Sequence, residues 1–271
     1  MRDSILGCIL GGAIGDAAGS AFEGSRSGGP WRITDDTQLT LATCEALASG
    51  ALEAEAVAAS MLRWFRARRI TGIGASTLKA LRDLDAGCHW ALAGRQGERA
   101  AGNGAAMRIA PLAFCVDPFG MEGRRLIRDV CRITHHNEEA YAGALAVVVA
   151  IRGGDLSGIP DSVVRDRLLQ LGDLCIVEAA RLFGSSGFVA ESVPLAILAA
   201  GQVARIGFEA MLEQVIAAGG DTDSNASIAC QIAGARLGLS GLPKGLLARL
   251  PEREEILAVA ERFAAFCEAS C

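Results

Sequence analysis

Apolar residues recur three and four positions apart along most of the chain: Ile5, Ile9 and Ala13; Leu39, Thr43, Ala46 and Leu47; Val57, Met61 and Phe65; Ile256, Ala260 and Phe263. That period puts them on one face of a helix, so the pattern predicts helices as the repeating unit. Glycine-rich breaks at residues 24–30, 72–74, 102–104, 153–154, 184–187 and 219–220 punctuate it. None is long enough for an interdomain linker, and no internal repeat of fixed period is visible. The expectation is one all-α domain spanning residues 1–271.

Composition sharpens that picture. Hydrophobic residues make up 51% of the chain and charged residues 21%, the balance of a packed globular protein. Aromatics are only 5%, and β-branched runs are scarce apart from Val147-Val148-Val149, which favours helices over sheet. The net charge is −5, and no basic block exceeds Arg68-Arg69 or Arg124-Arg125, so direct nucleic-acid binding is not expected. The stretch from Ile5 to Ile14 resembles a signal-peptide core, but only Arg2 precedes it, Asp3 cancels that charge and Asp16 interrupts the pattern. Residues 143–151 form the longest apolar run singled out, short of the roughly 20 residues a membrane span requires. The nine cysteines form no C-x-x-C pair and read as buried thiols. A cytoplasmic, monomeric protein without membrane attachment is expected.

The chemistry sits in the acids next to the glycine breaks. Thr34-Asp35-Asp36-Thr37 immediately precedes the helical run from Leu39, with Thr34 as candidate N-cap and two carboxylates in the first turn. Gly219-Gly220-Asp221-Thr222-Asp223-Ser224-Asn225-Ala226 repeats the theme, with Ser224 or Asn225 as candidate cap. A cap needs one small polar residue, yet each loop supplies two carboxylates and adjacent hydroxyls. That is the oxygen set a hard divalent cation takes. Helix capping and metal ligation both remain open at these loops.

Three further segments carry candidate function. Gly11, Gly12, Gly15 and Gly19 let a helix pack closely on a neighbour, and their spacing is not the dinucleotide-binding G-x-G-x-x-G. Asp16, inside that helix, reads as a structural buried acid, while Glu23 stands at the helix end, where the dipole disfavours a carboxylate. Gly102-Asn103-Gly104-Ala105-Ala106-Met107-Arg108 is a glycine-flanked turn whose backbone N–H groups suit phosphate, or a simple loop. Thr134-His135-His136-Asn137 opens another helix. No Ser-His-Asp or Cys-His triad can be assembled from spacing.

In order, the strings G-D-A-x-G-x-x-x-E, T-D-D-T, G-N-G-A-x-M-R, T-H and G-G-D-T-D-S-N-A resemble those of the ADP-ribosylglycohydrolase family, over nearly the whole chain. The resemblance implies an all-α fold with two Mg2+ or Mn2+ ions in a cleft. It places Thr34, Asp35, Asp36, Asp221, Asp223 and Ser224 at the metals. Glu23, with Asp35 and Asp36, falls at the reacting centre. Gly102, Asn103, Gly104 and Met107 would lie along a diphosphate, His135 would line the ADP-ribose pocket, and Phe188 would lie against adenine. The implied reaction is hydrolysis of the glycosidic bond between ADP-ribose and an acceptor, through an oxocarbenium-like state, with ADP-ribose or an ADP-ribosylated substrate as partner.

The chain departs from the family pattern in three places. The segment between Glu23 and Thr34 is short, Ser224 replaces a commoner threonine, and Gly72 stands where many bacterial relatives carry aspartate in Asp-Ile-Gly. With Arg26, Arg32, Arg68 and Arg69 nearby in sequence, Gly72 argues against an arginine acceptor. A non-catalytic relative and a metal-dependent phosphohydrolase are the competing readings.

Overall fold

The computed structural model describes residues 1–23 and 28–269. Its α-helices are α1 (Arg2–Ser20), α2 (Asp35–Ala48), α3 (Ala54–Arg66), α4 (Ala75–Asp85), α5 (Met121–Arg132), α6 (Glu138–Ile151), α7 (Val163–Leu169), α8 (Ile176–Phe183), α9 (Val189–Gly201), α10 (Val203–Ile206), α11 (Phe208–Ala217), α12 (Thr222–Leu237), α13 (Lys244–Arg249) and α14 (Arg253–Ala269). The all-α expectation holds. The extended backbone among the described residues is a two-residue parallel ladder, β1 (Arg95–Gln96) on β2 (His135–His136), and an isolated bridge between Gly102 and Phe188.

Helices α1, α2, α6 and α12 are buried on nearly every face, which is why their sequences show little amphipathic contrast. Around them, α3, α4, α5 and α8 turn one apolar stripe inward, as α3 does with Val57, Met61 and Trp64. Asn137 caps α6 by accepting from the Ala140 N–H at 3.1 Å.

The tightest contact in the molecule is between α1 and α12. Gly7, Gly11, Gly15 and Gly19, each one turn apart, lie against the backbone of Gly234, Cys230, Ala226 and Thr222. Positions that rise along α1 thus meet positions that fall along α12, so the pair is antiparallel. A Cβ added at Gly11 would sit 2.6 Å from the Cys230 carbonyl oxygen, and those at Gly7, Gly15 and Gly19 closer still to the facing carbonyls. Only glycine permits this approach. The result brings the C-terminal end of α1 to the N-terminal end of α12.

Two sequence expectations need correction. Val189–Ile206 is an apolar stretch of 18 residues with mean hydropathy 1.3, twice the length of the 143–151 run. Glu191 and Pro194 break it by eye, but 67% of it is buried against the rest of the chain. Of the cysteines, Cys8, Cys44, Cys131, Cys230 and Cys267 are buried, whereas Cys88, Cys115 and Cys175 are partly exposed. Cys271, like Arg26, lies outside the described residues.

Candidate active site

Three helix ends converge on one cleft. Asp35 and Asp36 open α2, Asp221 and Asp223 open α12, and Glu23 follows the end of α1. The link between α1 and α2 is Asp16, fully buried, whose carboxylate accepts from the Thr34 N–H at 2.9 Å and the Thr34 hydroxyl at 2.8 Å. It accepts also from the Thr37 N–H at 3.1 Å and the Thr37 hydroxyl. Burial pushes Asp16 up to about 6 even though these four bonds pull the other way. It fixes the backbone that presents Asp35 and Asp36.

Thr34 is the N-cap of α2, accepting from the Asp36 N–H at 3.4 Å. The cap expected at Ser224 or Asn225 is not formed. Asp221 occupies the N-cap position of α12, and both residues lie inside the helix. The Ser224 hydroxyl instead donates to Asp36 Oδ2 at 3.1 Å, and the Asn225 side-chain N–H donates to the Ser185 carbonyl at 2.7 Å. Asp36 Oδ1 is buried and has no hydrogen-bond partner among the described residues.

The carboxylates form two groups that share Asp223. Asp16, Asp36 and Asp223 can place one oxygen each within 4.8 Å of one another, as can Glu23, Asp221 and Asp223. Burial, then repulsion by Asp16, lifts Asp35 to about 8. Burial, then a hydrogen bond and repulsion from Asp221, lifts Asp223 to about 9. Burial and repulsion by Asp223 hold Asp36 well above the carboxylate range. Such a cluster holds protons unless a cation replaces them. An all-oxygen donor set, an orphaned carboxylate oxygen and no Lys or Arg among the described lining residues together fit a hard divalent cation.

The cleft encloses about 280 Å³. Its lining combines Glu23, Asp35, Asp36, Asp221, Asp223 and Ser224 with Gly102, Asn103, Gly104, Met107, His135 and Gly187. The Asn103 side-chain N–H donates to Asp221 Oδ2 at 2.8 Å and to Ser192 Oγ at 3.1 Å, which ties the glycine turn to the acids. Gly102 and Gly104 press on the His135 ring: a Cβ at Gly104 would lie 2.9 Å from its Cε1. His135 is itself held by the β1–β2 ladder.

Two expected residues stand off the cleft wall. Thr34 is buried behind it as a cap, and Phe188 sits at the rim, half-buried, its ring 5.9 Å from the Arg167 guanidinium. Sequence reasoning gave no role to Ser76, Thr77 or Gly187, which line the cleft. It also counted Arg32, Arg68 and Arg69 as neighbours of Gly72. Arg69 pairs with Glu255 and stacks on Trp64, Arg68 and Arg32 are exposed, and none of the three lines the cleft. Gly72 does line it, with φ +77°.

The family model for ADP-ribosylglycohydrolases matches residues 1–271. A protein of Archaeoglobus fulgidus described as uncharacterized is 30% identical over 94% of this chain and 93% of its own length. The ADP-ribosyl-[dinitrogen reductase] glycohydrolase of Rhodospirillum rubrum is 26% identical over 94% and 92%, and an ADP-ribosylarginine hydrolase of Pseudomonas putida 28% over 89% and 72%. A solved structure titled ADP-ribosylglycohydrolase-related protein complex superposes with a TM-score of 0.73 at 27% identity, covering 98% of both chains. By sequence along its full length and by fold, this chain belongs to the ADP-ribosylglycohydrolase family, hydrolases that act on glycosyl bonds.

Proposed function

We propose that the chain hydrolyses the bond between the distal ribose of ADP-ribose and an acceptor, with Mg2+ or Mn2+ held by Asp35, Asp36, Asp221, Asp223 and Ser224. The observation that carries this reading is Asp36, whose Oδ1 is buried without a partner in the middle of an acid cluster. Bound cations would supply Lewis-acid chemistry at the ribose hydroxyls and at the attacking water. Glu23 is the exposed acid of the cluster and sits at the cleft mouth beside Asp221 and Asp223. It is the carboxylate placed to take the proton of that water, and the other acids stabilise the positive charge that develops on the ribose. The backbone N–H groups of Gly102 and Gly104 meet the diphosphate, while Asn103, whose own N–H donates to the Gly187 carbonyl at 3.0 Å, holds the turn against Asp221.

The acceptor follows from Gly72. Its Cα lies on the cleft wall near Asp35, and a carboxylate there would form a charge-assisted pair with a guanidinium. Glycine offers none, so an oxygen-linked conjugate is preferred over the arginine conjugate that the Pseudomonas putida relative is named for. Loss of such a pair corresponds to a factor of about 10 to 150. The test is kcat/KM for arginine- and serine-linked ADP-ribose side by side at fixed Mg2+, with an EDTA control. Turnover that survives EDTA sinks the metal reading, and a tenfold or larger preference for arginine sinks the acceptor reading. Gly72→Asp is not a clean substitute for that comparison. At φ +77°, with Thr34 Cβ 3.3 Å from the new Cβ, the variant is strained before its charge acts.

A further inference from the structure

Arg108 closes the G-N-G-A-x-M-R string, yet it is fully buried and does not reach the cleft. Its Nη2 donates to the Val130 carbonyl at 3.2 Å and to Thr134 Oγ1 at 2.7 Å, while Nε and Nη1 have no partner. A buried guanidinium satisfied at one nitrogen is costly, and a methionine of similar volume would pack there at lower cost. Its one polar side-chain contact therefore calls for an account.

The next link is the Thr134 hydroxyl, 2.7 Å from His135 Nδ1. Guanidinium groups only donate, so Thr134 Oγ1 accepts from Arg108. Its single proton then has one acceptor among the described residues, His135 Nδ1. The reverse arrangement, with Nδ1 donating, would strand the hydroxyl proton of a fully buried threonine. Burial first, then Arg108, Arg95 and His136, depress His135 to about 3, so the ring is neutral and carries one proton to place. That proton goes on Nε2, the nitrogen that faces Gly102 and Gly104 at the cleft wall and has no hydrogen-bond partner among the described residues.

We propose that Arg108 is a positioning residue: through the Thr134 hydroxyl it locks His135 as the Nε2–H tautomer, a neutral donor to an oxygen of the bound nucleotide. The tautomer decides the sign of the interaction. A cleft with five lining carboxylates and, among the described residues, no lining cation meets a diphosphate with neutral donors, and an Nε2 lone pair would repel it. This inference rests on the ADP-ribose reading of the cleft, though the tautomer itself does not.

The experiment is long-range 15N–1H correlation of the imidazole nitrogens in labelled wild type, Thr134→Val, Thr134→Ser and Arg108→Met, all with Mg2+. Calorimetric ADP-ribose binding and steady-state kinetics run in parallel. Wild type and Thr134→Ser should show a bare Nδ1 and a protonated Nε2. Thr134→Val and Arg108→Met should show Nδ1–H populated, ADP-ribose Kd and substrate KM weakened about 10- to 100-fold, and kcat changed much less, as for a contact made equally in ground and transition states. A wild-type spectrum with Nδ1 protonated overturns the proposal even if every variant fails to fold. So does a folded Thr134→Val that binds ADP-ribose like wild type. Wild type that shows the Nε2–H tautomer but binds no ADP-ribose overturns the functional reading and leaves the relay standing.

Discussion

Titrating Mg2+ into the metal-free protein should expel protons, and the number can be read from the cleft. Asp35 is lifted to about 8 and Asp223 to about 9, each by burial first and then by neighbouring carboxylates, and Asp36 is higher than its usual range for the same reasons. At pH 7 a group at about 8 is roughly nine-tenths protonated, so these residues together hold about two to three protons. Carboxylates ligate as anions, so the protons leave when the cation enters. Affinity then rises with pH by about one power of ten per proton per unit. Two released protons make the apparent Kd about 100-fold tighter at pH 7 than at pH 6. Calorimetry in two buffers of different ionisation enthalpy counts the protons directly. Buffer-independent heats together with a flat Kd from pH 6 to 8 would refute the reasoning, since they mean that the acids are already ionised or take no part in binding.

The same shifts fix the sign of a second observable. Each folded-state value lies above the unfolded value near 3.8, so the native state keeps protons that the unfolded chain releases. The stability of the metal-free protein is therefore fully present below about pH 4 as far as these groups go, and it is lost as pH rises through about 8 to 9. Saturating Mg2+ should flatten or reverse that slope.

Two substitutions separate site from scaffold. Asp36→Asn should abolish Mg2+ stabilisation and turnover while raising the metal-free melting temperature at pH 8, because it removes a buried acid whose ionisation the fold resists; a drop in metal-free stability with Mg2+ stabilisation retained would mean that Asp36 serves the fold rather than a cation. Gly15→Ala places a methyl against the Ala226 carbonyl, and overpacking of about 1–3 kcal/mol or more outweighs the roughly 1 kcal/mol of helix propensity gained. A fall of roughly 2 to 8 °C is expected by calorimetry for a net loss of about 1–2 kcal/mol, whereas Gly201→Ala, with nothing within 4 Å of the new Cβ, should hold or gain; equal effects at the two sites would undo the close-packing argument.

The cleft was more legible in the sequence than the scaffold that builds it. Acids, glycines and histidine fall in short strings whose residue types are tied to chemistry, so 34–37, 102–107 and 219–224 could be singled out without knowing where they meet. What brings them together was less visible. Gly7 and Gly234 complete the α1–α12 contact, but a lone glycine in an apolar helix carries no direction. Arg108 ends the glycine-turn string without a role of its own in the sequence, and its burial against Val130 and Thr134 is what supplies one. Nearness in sequence misled at Arg68 and Arg69, because the chain turns through a positive φ at Arg68 and sends Arg69 to Glu255.

Helix start and candidate metal ligand, alternatives at the level of sequence, are compatible roles in the fold. Asp35 and Asp36 occupy the first turn of α2, and Asp221 and Asp223 the start of α12. Each helix N-terminus presents roughly half a positive charge, which offsets part of the repulsion between carboxylates crowded into one cleft. That offset falls short, as the upward shifts of Asp35, Asp36 and Asp223 show. Glu23 adds to the deficit from the C-terminal end of α1, where the dipole has the wrong sign. A fold that wanted only capped helices would have placed one small polar residue at each start and none after α1. This one crowds more acids into the cleft than the two helix dipoles offset, so that they hold protons which a divalent cation would displace.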